Sequence, residues 1–274
     1  MAEISDLHSM IDAIVEAHDR FGIGVWWRGH AANSWQLVPG TFRAPLNHYS
    51  EKNMATRFVA KARSRRNDCP LRTEMGEWVM LMQHYRLPTR LLDWTEYPLV
   101  ALFFAVDEFP DKAATLWAMD AFEMNAVHTK RRGLHNINSS NAATLFRQVM
   151  QESPKPISTC LALSPTEFDL RMLLQGSAFT IHDDNTPLES HKEISRFLIR
   201  FDIPPNAKKY IGAQLRLMGV KRSNLFPDLD HLAGEIAKYK FEEPEPIAAM
   251  AEPSAADESS SDSAPSQPRQ TDLL

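Results

Sequence analysis

Cysteine is nearly absent from this chain of 274 residues: there are two, Cys69 and Cys160, and their spacing suggests neither a zinc site nor a disulfide framework. Glycine is sparse as well, with ten residues, and none belongs to a phosphate-cradling loop or a nucleophile elbow. No apolar run approaches the roughly 18 to 20 residues that a membrane span needs. The opening stretch MAEISDLHSMIDAIVEAHDR is amphipathic and acidic, unlike a secretory leader. These absences predict a soluble protein in a reducing, cytoplasmic setting, with no membrane partner.

What is present is a large apolar fraction, 43%, beside 24% charged residues. That is enough to bury a core without staples, in one generous domain or two small ones. The net charge of −5 is unevenly spread. From Phe241 onward there are eight acidic residues and one basic, a net of −7, which leaves +2 for the rest. This segment is rich in Pro, Ser and Ala and almost free of aromatics, so burial cannot offset its ordering entropy. Residues 1–240 are therefore expected to form the globular unit. Residues 241–274 are expected to form a disordered acidic tail that aids solubility, screens a basic surface or offers a docking motif at QTDLL.

Along the chain, Ser5 is placed to cap a first helix whose apolar positions Leu7, Met10, Ile11, Ile14 and Val15 keep a 3.6 period. GIGVWWRGH predicts a short strand ending at Arg28-Gly29. Helices are expected over Asn53–Arg66 and Glu74–Arg86, the second with Met75, Trp78, Val79, Met82 and Tyr85 on one face and a stop before Pro88. Thr95 can cap a buried helix with Pro98 in its first turn and Leu99–Val106 apolar all round. ATLWAM and RFLIRFDI predict strands. LLQGSAFTIHD predicts strand, turn, strand, and His128–Gln151 is polar and irregular. Asn206–Met218, closed by Gly219, and a segment begun at Pro227 predict the last helices. Helices and strands mix without regular alternation, so the fold class is α+β, with a central, mainly antiparallel sheet flanked by helices.

One stretch concentrates chemistry inside this apolar surround: LMQHYRLPTRLLDWTEYPLVALFFAV places Gln83, His84, Tyr85, Thr89, Arg90, Asp93, Trp94 and Thr95 within thirteen positions. Unpaired buried groups cost a few kcal/mol each, so such a knot is satisfied internally or by a ligand. His84 has the ordinary pKa of a general base, or is a structural group at a helix end. Arg28 stands before Gly29, whose missing Cβ admits a ligand or backbone. Its guanidinium either grips a phosphate or carboxylate, or stacks on Trp26 or Trp27 and pairs with a carboxylate such as Asp93. Gln175 serves a turn or faces a pocket. Asp228 and Asp230 can join Asp93 around a cation, as in a metal-dependent nuclease, although acid in a helix first turn is favoured by the dipole alone. The stripe Arg57, Lys61, Arg65 and Arg66, with Lys130-Arg131-Arg132 and Lys221-Arg222, is either a solvated face or a nucleic-acid track.

In this order the pieces resemble the FRG domain family. Trp27-Arg28-Gly29 stands for its aromatic-Arg-Gly motif, QHYRLPTRLLDWTEYPLVALFFA for its most specific signature, and LLQGSAFTI and GVKRSNLFPDLDHLA for its later motifs, over roughly residues 20 to 240. Members of the family look like bacterial and phage proteins, some in toxin or defence settings. The motif order is also similar to that of ADP-ribosyltransferases. The resemblance implies a nucleotide-type ligand, with NAD as substrate. Arg28, Gly29, Gln83, Thr89, Arg90 and Trp94 would line the site, and Arg28, His84, Asp93, Thr95 and Gln175 would take part in the chemistry. Where transferases carry a catalytic glutamate this chain has Gln175, with Glu167 and Asp169 nearby. Either an acid arrives from elsewhere, Asp93 first, or the pocket only binds.

Overall fold

The computed structural model describes residues 3–151, 159–164 and 169–239. Along the chain run α1 (Leu7–Phe21), β1 (Val25–His30), α2 (His48–Ala62), α3 (Met75–His84), β2 (Leu91–Thr95), α4 (Pro98–Val106), β3 (Ala114–Asp120), α5 (Ala121–Thr129), α6 (Ser140–Gln148), β4 (Cys160–Leu163), α7 (Leu170–Gln175), β5 (Ser177–His182), β6 (Leu198–Ile203), α8 (Pro205–Leu217), α9 (Arg222–Leu225) and α10 (Leu229–Tyr239). The six strands form one antiparallel sheet in the order β4-β5-β2-β1-β3-β6. The α+β class with helices flanking an antiparallel sheet is what the strand and helix patterns predict. The acidic tail and Glu167 lie outside the described residues. No described helix is long and apolar enough to cross a membrane.

The sheet is two three-stranded halves joined by a narrow seam. β1 pairs β3 over six residues and β2 pairs β5 over five, but β1 and β2 share one pair, Trp27↔Thr95. Because side chains alternate across a strand, Val25 and Trp27 enter a core shared with α1, α4 and α8. Trp26 enters a second core with Trp94, Trp117, Met119 and α5. Leu91, Phe179 and Ile181 of the other half meet α3 and α6 in a third.

Several boundaries differ from those predicted. Asp6, not Ser5, caps α1, accepting from the Ser9 amide at 2.7 Å. The buried face of α1 is Met10, Ala13, Ala17 and Phe21, while Ile11 and Val15 are exposed. α2 begins five residues early, capped by Asn47, and ends at Ala62. Tyr85 is exposed beyond the end of α3. The polar stretch after His128 contains α6, whose cap Ser139 and amphipathic face, Ala142, Leu145 and Phe146, make a short helix. Gln175 ends a helix rather than a strand: Asp169 caps α7, and Gly176 closes it at φ +53°. α4 starts at Pro98, and Thr95 lies before its N-cap position, accepting from the Tyr97 amide at 3.0 Å.

Candidate functional site

At the seam, Arg28 is 5% exposed, and its Nη1 donates to the Asp93 carbonyl at 2.5 Å. The guanidinium thus joins the two halves where the backbone ladder is down to one pair. Its Nε donates to His30 Nε2 at 3.0 Å. Gly29, next along β1, is required by the neighbouring helix. A Cβ there would lie 2.0 Å from the Ala101 carbonyl oxygen and 2.6 Å from the Ala105 amide nitrogen of α4, so the close approach is by backbone.

The polar knot is threaded together largely from within. Gln83, in the last turn of α3, donates to Asp93 Oδ2 at 2.6 Å and accepts from the Thr89 hydroxyl at 2.5 Å. That hydroxyl in turn accepts from the Leu91 amide at 3.1 Å. Arg90 is 1% exposed. It makes a bidentate pair with Glu51 of α2, at 3.0 and 2.7 Å, and bonds Leu145 carbonyl and Gln148 Oε1, each at 3.1 Å. Glu51 carries no local sequence signal: it lies 39 positions before Arg90, ahead of the helix expected from Asn53. Trp94 donates its indole N–H to Thr180 at 3.1 Å and is buried in the second core.

Thr95 and Gln175 meet beside this knot. The Thr95 hydroxyl donates to the Gln175 carbonyl at 2.5 Å, and the Gln175 amide donates to the Leu225 carbonyl at 3.0 Å. Both side chains are buried, at 2% and 1% exposure. Asp93 and Thr95 alternate on one side of β2, with Asp93 7% exposed. His84 approaches Asp169 at 3.0 Å. Burial lowers its pKa, with Arg171 and Arg66 acting the same way, against the opposing pull of Asp169. It is therefore neutral near pH 7, the form a base needs.

Arg171, which the sequence patterns did not single out, lies 4.7 Å over the Phe226 ring. Burial and the neighbouring Arg86 lower its pKa, against the opposing pull of Asp93, Asp169 and Asp228. Of the acids proposed for a cation, Asp93 and Asp228 thus lie in the field of one guanidinium, and Asp228 is also bonded to His231. Among the described residues no three His, Cys, Asp or Glu side chains are placed to hold a metal ion.

The basic stripe splits. Arg57, Lys61 and Arg65 are exposed, whereas Arg66 pairs with Asp68 at 2.6 Å. Arg132 meets Asp120, Lys221 meets Glu235 and Arg222 meets Asp107. A shallow depression on the outer face of α1, lined by Asp12, Val15, Glu16, Asp19 and Arg20, is built from other residues than these.

A model of the FRG domain matches residues 24–114. No curated protein matches the chain, and no solved structure does. The match is narrower than the span the motifs suggest. It opens beside β1 and closes at the first residue of β3, taking in Arg28, Gly29, the knot from Gln83 to Thr95, and the buried helix that Gly29 admits. This chain contains an FRG domain.

Proposed function

We propose that this FRG-domain protein is a nucleotide-handling effector with an ADP-ribosyltransferase-like site and NAD as its substrate. The observation that carries the reading is the seam. The single pair Trp27↔Thr95 sets the aromatic-Arg-Gly strand against the threonine strand, and the Thr95 hydroxyl reaches the Gln175 carbonyl. Three motifs far apart in sequence, in the transferase-like order, thus lie at one junction.

In such a reaction the bond between nicotinamide and ribose breaks, nicotinamide leaves, and a target nucleophile takes the ribose carbon. Charge at the ribose in the transition state needs a fixed negative partner. Gln175 is neutral and its amide is committed to Leu225. Asp93 takes that role: its carboxylate is held by Gln83 at 2.6 Å, two residues before Thr95. Arg28 sets the spacing of the two half-sheets, and neutral His84 at the rim accepts a proton.

The test is a thermal titration of the full chain with NAD, ADP-ribose and ATP, beside an assay for nicotinamide release. Asp93→Asn keeps the hydrogen-bonding shape and removes the charge. It should retain NAD binding while release falls by two orders of magnitude or more, a typical loss for one electrostatic group. No response to NAD or ADP-ribose removes the reading.

A second reading rests on the exposure of Arg57, Lys61 and Arg65. These side chains would track a nucleic-acid backbone from α2, leaving the knot structural. Steeply salt-dependent oligonucleotide binding, with no NAD response, would put it first.

A further inference from the structure

On the face of β1 and β3 that carries Arg28, three buried polar atoms have no hydrogen-bond partner among the described residues: His30 Nδ1, Thr115 Oγ1 and Trp117 Nε1. Their residues are 5% exposed or less. Register makes them neighbours, since His30 sits opposite Thr115 and Arg28 opposite Trp117, and the His30 and Trp117 rings meet edge-on at 6.5 Å. Buried polar groups are nearly always satisfied, so three orphans side by side call for a partner from beyond these residues.

Their chemistry specifies that partner. Arg28 donates to His30 Nε2, so that nitrogen holds a lone pair. Burial, with Arg28, Arg43 and Arg200 around it, keeps the imidazole pKa well below its usual value. The one ring proton is therefore on Nδ1. The Trp35 main chain favours the protonated ring without completing a hydrogen bond to that nitrogen. An indole N–H can only donate, and a threonine hydroxyl rotates to suit. Arg200 lies 5.6 Å over the Trp117 ring. The acids on this side have partners already: Asp202 takes Arg200 Nε at 2.9 Å, and Glu189 takes the Leu37 amide. Donors short of acceptors, in a field of three guanidiniums, select an oxygen-rich anion.

We propose that this face binds a phosphoryl group, with Trp117 Nε1, His30 Nδ1 and Thr115 Oγ1 donating to its oxygens and Arg43 and Arg200 balancing its charge. A phosphoryl group offers three oxygens to three donors, where a carboxylate offers two. Half-buried Trp35 has its ring 6.0 Å from that of His30, and the charges of Arg43 and Arg200 reach the same imidazole. Arg28 is a positioning residue that fixes the His30 tautomer. The choice of ADP-ribose as the phosphoryl source rests on the nucleotide reading; the phosphoryl site does not.

The full chain is titrated calorimetrically with inorganic phosphate, pyrophosphate and ADP-ribose, beside Trp117→Phe and Thr115→Val. Trp117→Phe removes an unsatisfied N–H together with part of a ring packed in the second core, so its thermal midpoint should fall modestly from the cavity left behind. Its affinity for the phosphoryl ligand should fall at least about tenfold, the effect of one hydrogen bond to a charged group. Thr115→Val should fall in the same direction. Phosphate or pyrophosphate binding lost in both variants, without any response to ADP-ribose, upholds the site and removes the nucleotide reading. ADP-ribose binding indifferent to both variants keeps that reading and overturns this site. Binding of none of the three ligands also overturns it, leaving the donors to water.

Discussion

Arg28 bonds the main-chain carbonyl of Asp93 across the seam where β1 and β2 share only the Trp27↔Thr95 pair. A side chain thus completes a sheet that backbone pairing leaves almost divided. This places the arginine of the aromatic-Arg-Gly motif at the centre of the candidate site, whatever it also does for a ligand.

Arg28→Ala should destabilise the chain by about 2–3 kcal/mol, since it strands a buried carbonyl and the His30 nitrogen. Arg28→Lys should recover part of that loss, lacking the fork that serves both partners. Urea unfolding measures both. A loss below about 0.5 kcal/mol for the alanine variant would show that the seam holds without Arg28.

Gly29→Ala should be among the most damaging single-methyl changes in the chain. The added carbon meets the backbone of α4 at 2.0 Å, and backbone cannot swing aside as a side chain can. A loss of about 3 kcal/mol, the upper end of overpacking, or failure to accumulate as folded protein is expected. Near-parent stability would mean that α4 can slide on β1.

Arg90 and Glu51 should behave as a unit. Either truncation alone, Arg90→Ala or Glu51→Ala, leaves a buried charge and should cost about 3–5 kcal/mol. The double change Arg90→Met with Glu51→Leu should lose much less than the sum of the two. Additive losses would show that Arg90 acts through Leu145 and Gln148 and not through Glu51.

Stability should fall on acidification below neutral pH. Burial, with His191 and Lys130 beside it, lowers the His128 pKa to about 4. Burial, with the charges of His128 and Arg28, lowers that of His182 to about 3. Both histidines titrate near 6.5 in the unfolded chain, so below that pH the unfolded state binds more protons. Their contribution is fully present above about pH 6.5 and drains away as pH falls through about 4 and 3. The urea midpoint should thus drop between pH 7.5 and pH 5, and less steeply in His182→Gln. A flat profile would show that these rings are open to water.

If the helix stripe binds nucleic acid, Arg57→Ala with Lys61→Ala should lower the slope of log affinity against log salt by about 1.4–1.8, at 0.7–0.9 per lost phosphate contact. Thermal stability should not move, because both side chains are exposed. An unchanged slope would return the stripe to a solvated face.

Much of the fold was legible locally. Period-2 alternation marked β6 and a continuous apolar run marked α4, because each element's burial is written in its own few residues. The density of polar groups from Gln83 to Thr95 likewise announced a hub. Where a capping group competes with an apolar run, local reading failed: LLQ resembles a strand, but Asp169 and Gly176 close it into α7. Partner choice was settled only by tertiary structure. Arg90 met Glu51 from a distant helix, Gly29 served the α4 backbone, and His30, Thr115 and Trp117 became neighbours through β1–β3 register. Periodicity reports which face of an element is buried, whereas the identity of an ion-pair or hydrogen-bond partner depends on how distant segments are brought together, and no local pattern carries that.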